Sequence, residues 1–279
     1  MTALLALSSA LLVGASDFLG GVASRRASAL RVAALAQLVS LLLSLPTAAF
    51  VSADRVTRTD VLWSLASGLV AASGLVLFYT AMGRGLLSIV APVAAVTGAS
   101  VPVVYALARG ERPGAAALAG IALALPAIAL VSVAPGSPGA VAGGLQAVVA
   151  LSVGAGLFFG LFFVFLSRTS DHAGLWPVAL SRVASATPLV IAALVVRGGP
   201  PVRSLARFVV PTGALEMTAT VTLLLALQRG PIAVAAVLAS LYPVITVVLA
   251  ASLLRERLSR LQLTGVGLAL VAAVLVSTP

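Results

Sequence analysis

Ala81-Met82-Gly83-Arg84-Gly85 is followed, 145 residues later, by Ala226-Leu227-Gln228-Arg229-Gly230. The same offset brings Gly110-Glu111-Arg112 onto Arg255-Glu256-Arg257, and Gly120 onto Gly265. An apolar chain matches alanines and leucines with itself by chance. Charged residues and glycines in one ungapped register are instead the mark of a duplication, and the repeated unit decides the fold.

Working outward from the repeat, the composition identifies the solvent. The chain of 279 residues is 61% hydrophobic and 9% charged, with a mean hydropathy of +1.19. Soluble domains carry about 25% charged residues. Stretches of about 20 apolar residues follow one another, each long enough to cross a bilayer core of about 30 Å. Inside lipid every backbone amide must be satisfied within its own segment, so each stretch is predicted to be a helix. Ten spans result: 2–23, 29–51, 61–82, 87–107, 114–134, 145–166, 175–196, 208–227, 232–252 and 261–277. Met1 to Leu12 lacks a basic leader and reads as the first membrane helix, not a cleaved signal.

The uncharged stretch Ala134-Pro135-Gly136-Ser137-Pro138-Gly139 is rich in turn formers and reads as the start of a linker. The expected organisation is one five-helix repeat over 1–134, a linker over 135–144 and a second repeat over 145–279. An odd helix count forces the second copy to enter from the opposite side of the membrane. The expected fold is therefore an all-α integral membrane protein, with ten transmembrane helices in two inverted repeats. Secondary transporters use this architecture and place their substrate near the midplane between the repeats.

Several function classes lose their footing. With no Cys and one His, the chain offers no thiolate or histidine-cluster metal site and no disulfide, and calls for no cofactor. Enzymatic hydrolysis needs a nucleophile with its base or metal, and no such constellation is visible. The net charge of +10 comes from 17 arginines scattered over short connections, which fits membrane topology and not nucleic acid. Ten of them lie in odd-numbered connections and six in even-numbered ones, which by the positive-inside rule places both termini outside.

The two five-helix units, each with Gly-Glu-Arg or Arg-Glu-Arg before its last helix, resemble the EamA repeats of the drug/metabolite transporter superfamily. Gly14-Ala15-Ser16-Asp17-Phe18-Leu19-Gly20-Gly21 is similar to the first helix in one branch of that family. The resemblance implies a multi-pass carrier of the cell (plasma) membrane, often an exporter of amino acids, metabolites or drugs. It also implies eight helices around a cavity, with the fifth and tenth peripheral, and both termini in the cytoplasm. The arginine count points the other way, so orientation stays open. The expected partners are a small-molecule substrate and the lipid bilayer; a homodimer is allowed but not required.

Charges within spans are costly and normally face a cavity or a partner. Three qualify: Asp17 in the first span, Arg182 in the seventh and Glu216 in the eighth. Glu216 is the leading candidate for proton coupling or for holding a substrate amine. Its competing reading is a structural ion pair with Arg182, although the expected spans put the two about 9 Å apart in depth. At the repeat offset Glu216 falls on Ala71, Arg182 on Gln37 and Asp17 on Phe162, so the cavity is expected to be chemically lopsided. Gln37, Tyr79, Thr97, Thr220 and Tyr242 complete the candidate pathway. Glu111 and Glu256 lie in connections, where surface pairing or helix capping is expected.

The expected function is alternating-access transport of a small organic solute. A passive facilitator or channel, a lipid translocator and a non-transporting membrane subunit are the alternatives.

Overall fold

A computed structural model of the chain describes residues 1–82, 87–132, 144–195, 202–255 and 258–278, the side chains of residues 79, 82, 87–89 and 202 excepted. The helices are α1 (Thr2–Ser24), α2 (Ala29–Phe50), α3 (Arg58–Met82), α4 (Leu87–Ala108), α5 (Ala115–Ser132), α6 (Leu145–Leu166), α7 (Trp176–Val195), α8 (Val202–Arg229), α9 (Ile232–Ala239), α10 (Tyr242–Leu253) and α11 (Arg260–Ser277). Among the described residues they supply ten spans long and apolar enough to cross a membrane. Residues 135–143 of the expected linker lie outside the described residues.

Two spans depart from expectation. The eighth begins at Val202 and not at 208. Arg203 and Arg207 suggested a connection but occupy the first turns of a 28-residue helix, where an arginine at the bilayer edge keeps its head in water. The ninth is broken: α9 stops at Ala239, Ser240 and Leu241 intervene, and α10 starts at Tyr242. Pro243 has no N–H to give the carbonyl of Ala239 and its ring crowds that carbonyl. Proline alone is not sufficient, because α4 runs unbroken through Pro92 and Pro102.

The helices do not pack in chain order. The main partner of α1 is α8, and that of α3 is α6. α2 packs on α8 and α3 on α7; α4 packs on α6, and α9 and α10 on α1. Every one of these contacts has its repeat mate. The result is two interlaced bundles, one of α1, α2, α8, α9 and α10, the other of α6, α7, α3 and α4. Two further contacts, α2 with α7 and α5 with α11, pair a helix with its own mate and so lie on the pseudo-two-fold axis.

Glycines permit these approaches. Gly68 of α3 sits against Ser181 and Ala184 of α7, while its mate Gly213 of α8 sits against Ala36 and Val39 of α2. All four partners are themselves repeat mates. α5 and α11 lean on each other beside the bundles, which matches the peripheral place the resemblance implied for them. With ten spans both termini fall on one face of the membrane.

Candidate functional site

Between the bundles lies a cavity of about 610 Å3. Its lining reaches Ser24 at the end of α1, Ala29 at the start of α2 and Ser132 at the end of α5, all at the face opposite the termini. Towards the termini face it ends at Ser9, Phe163, Leu223 and Ala239. Behind these residues Ala6, Leu166, Leu224, Leu227 and Leu238 form a fully packed apolar cluster. Among the described residues the cavity thus reaches one face and is shut towards the other.

One wall is a polar knot. Arg182 of α7 reaches Glu216 of α8 across 3.3 Å between Nη1 and Oε1. The same Nη1 donates to Oε1 of Gln37 on α2 at 2.9 Å. Gln37 Nε2 donates to Glu216 Oε1 at 2.6 Å, and Ser185 Oγ donates to Gln37 Oε1 at 3.1 Å. The other guanidinium nitrogen, Nη2, donates to Thr220 Oγ1 and, at 3.4 Å, to the carbonyl of Glu216. The Arg182 side chain is 6% exposed and that of Glu216 27%, so the guanidinium is held inside while the carboxylate keeps an edge on the cavity.

The longer α8 explains why this pair meets. Glu216 lies 14 residues from the start of α8, and Arg182 lies 13 from the end of α7, which is the same membrane face. Their depths therefore agree to within about 1.5 Å, the rise of one residue.

Asp17 is the second carboxylate on the cavity and, unlike Glu216, is exposed to it. The Gly-Ala-Ser-Asp sequence positions it. Gly14 lets α1 press against the break: a Cβ there would come 2.7 Å from the carbonyl of Tyr242. Thr246 Oγ1 donates to the Gly14 carbonyl at 3.1 Å, and Ser16 Oγ donates to the Thr212 carbonyl at 3.2 Å. With Gly14 and Ser16 turned to neighbouring helices, Asp17 is left on the cavity side, as are Tyr242 and Pro243 of the broken span.

Of the sequence candidates, Asp17, Gln37, Arg182, Glu216, Thr220 and Tyr242 all line the cavity. Thr97 packs at the α4–α6 contact, where it would crowd any Cβ at Gly156. Tyr79 belongs to α3 with its side chain outside the described residues, and Glu256 also lies outside them. Ser73, Thr218 and Thr222 bond to backbone carbonyls of their own helices. Sequence reasoning missed Ser185, whose signal was its position three residues after Arg182 on one helix face. It also missed the aromatic wall of Phe78, Phe159, Phe162 and Phe163.

The model of the EamA-like transporter family matches residues 1–133 and again residues 146–278. A solved structure titled only "Crystal structure of protein" is similar over 99% of this chain and 96% of its own, with 16% identity and a TM-score of 0.80. At that identity the likeness concerns the fold. No curated protein matches the chain.

Proposed function

Because the chain belongs to the EamA-like transporter family, we propose that it is a secondary carrier of the cell membrane that exports a small organic solute by alternating access, holding a cationic group of that solute at Asp17. The observation that carries this reading is the cavity between interlaced bundles, reaching one face and closed at the other. Rocking of the bundles about the axis through α2–α7 and α5–α11 would reverse which face is open. The units that move are then the interlaced bundles and not the two halves of the sequence.

The solute class follows from charge. Among the described residues, two carboxylates and one guanidinium line the cavity, and Glu216 already neutralises Arg182. Among the described residues Asp17 is left as the accessible charge of a cavity that Phe159, Phe162 and Tyr242 also line, and aromatic rings attract cations through their faces. A solute with an ammonium or similar cation on an apolar body suits such a wall. A proton can take the place of that cation on the carboxylates, and exchange of one for the other couples transport to a pH gradient.

The test is uptake into proteoliposomes of organic cations, zwitterions and anions, with and without a pH gradient. Gradient-driven accumulation of cations that is abolished by Asp17→Asn is the expected result. Flux that merely equilibrates, unaltered by Asp17→Asn and Glu216→Gln, would make the protein a facilitator.

A further inference from the structure

Two buried polar atoms where α2 meets α7 lack a hydrogen-bond partner among the described residues: Ser40 Oγ and Arg182 Nε. Ser40 is 0% exposed and Arg182 5%, so bulk water serves neither atom. A buried polar group left unpaired is costly, and native structures keep few of them.

The duplication shows what the two atoms have in common. At the 145-residue offset Ser40 falls on Ser185, and Gln37 falls on Arg182. Ser185 Oγ donates to Gln37 Oε1 at 3.1 Å. The repeat mate of that bond joins Ser40 Oγ to the Arg182 side chain. Nε of an arginine stands as many bonds from its backbone as Oε1 of a glutamine, so the mate of Gln37 Oε1 is Arg182 Nε. The backbone keeps the register on both sides, since Gly213 meets Ala36 and Val39 as Gly68 meets Ser181 and Ala184. The two unpaired atoms are thus the two ends of one bond, formed on one side of the axis and not on the other. Polarity is no obstacle: Nε–H donates, and a serine hydroxyl accepts as readily as it donates.

We propose that Ser40 is the positioning residue for Arg182 in the oppositely facing state. There its hydroxyl accepts from Nε, and Ser185 releases Gln37. The inference rests on the alternating-access reading, in which the two repeats exchange conformations as the bundles rock. A contact made by one repeat in one state is then made by its mate in the other. With one serine relieving the other, the guanidinium stays held on the axis, and its pair with Glu216 need not open into the cavity. An alanine at position 40 would spare this state an unpaired hydroxyl; a serine is of use only where Nε reaches it.

The chain has no cysteine, so single introduced cysteines report which face is open. Gly21→Cys lies on the cavity, where a Cβ meets nothing within 4 Å, and Leu227→Cys lies in the cluster that shuts the termini face. Each would be labelled with a membrane-impermeant maleimide applied to one face at a time. Ser40→Ala is expected to raise the ratio of Gly21→Cys to Leu227→Cys labelling about fivefold, the scale of one hydrogen bond. Ser185→Ala is expected to lower it by a similar factor. Arg182→Lys identifies the partner, because it keeps the charge and lacks the Nε–H. On that background Ser40→Ala should leave the ratio unchanged, since the hydroxyl then has no Nε to bond in either state. A shift that persists there overturns the assignment, as do serine variants that move the ratio the same way or not at all. If Arg182→Lys does not assemble, the opposed directions of the two serine variants decide. Rapid labelling of both reporters from their two faces in one otherwise unaltered molecule would instead sink alternating access itself.

Discussion

Gln37 and Arg182 are the same position in the two repeats, and they are hydrogen-bonded to each other at 2.9 Å. Two groups exchanged by a two-fold axis can touch only at that axis. The polar knot therefore sits on the line about which the bundles would rock, where displacement is least. Glu216, one helix away, is the asymmetric addition that neutralises the guanidinium, since its mate is Ala71.

That placement makes the knot a coupled unit. Removing one partner of a buried ion pair leaves an uncompensated charge and costs about 3–5 kcal/mol. The partial exposure of Glu216 puts Arg182→Gln near the lower end of that range. Arg182→Gln with Glu216→Gln is expected to cost less than Arg182→Gln alone. Unfolding of the four members of this cycle in detergent gives the coupling directly, and additive costs would refute it.

The axis makes a second prediction at its other crossing. A Cβ at Gly120 would meet Val276 Cγ2 at 2.7 Å and Val276 N at 2.8 Å. A Cβ at Gly265 would meet Val131 Cγ2 and Val131 N, both at 2.7 Å. These are repeat-equivalent contacts, so Gly120→Ala and Gly265→Ala should cost the same, about 1–3 kcal/mol each by overpacking. Melting temperatures that differ widely between the two variants would contradict the symmetry of the α5–α11 contact.

The repeat register and hydropathy made the ten-span architecture legible, because glycines and charges at fixed spacing survive where alanines and leucines carry no information. The knot was half legible. Arg182 and Glu216 stand out as charges in apolar spans, but Arg203 and Arg207 disguised the first turns of α8 and shifted the depth of Glu216. The aromatic wall was not legible, since phenylalanine faces lipid and cavity alike. Nor was the direction of Thr97: it shares a repeat slot with Tyr242, yet one packs on a glycine and the other lines the cavity.

Asp60 tests the closed face from the other bundle. Its Oδ2 accepts from Thr57 N at 2.9 Å and Thr57 Oγ1 at 2.6 Å, while Oδ1 accepts from Ser170 N at 2.7 Å. It thereby caps α3 and pins the α6–α7 connection, whose Ser170 carbonyl also receives Gln228 Nε2 at 3.1 Å. Asp60 is buried, so Asp60→Ala strands these donors, at about 2–3 kcal/mol. Thermal unfolding measures the loss. Native-like stability would mean that water replaces the carboxylate without cost.

The break between α9 and α10 offers the last test, because it belongs to one repeat only. Its mate in α4 is helical, with Gly98 where the second repeat has Pro243. Pro243→Ala supplies an N–H that can reach the Ala239 carbonyl, and alanine is the best helix former. The variant should therefore join α9 to α10 and stabilise the conformation in which they are continuous. If the break lets Tyr242 and the α1 turn before Asp17 move together, a continuous helix will slow turnover severalfold. Solute affinity should change far less, since Asp17 itself is untouched. Transport rates and equilibrium binding measured on the same preparation separate the two effects. A variant that binds and transports as before would reduce the break to a local accommodation of proline.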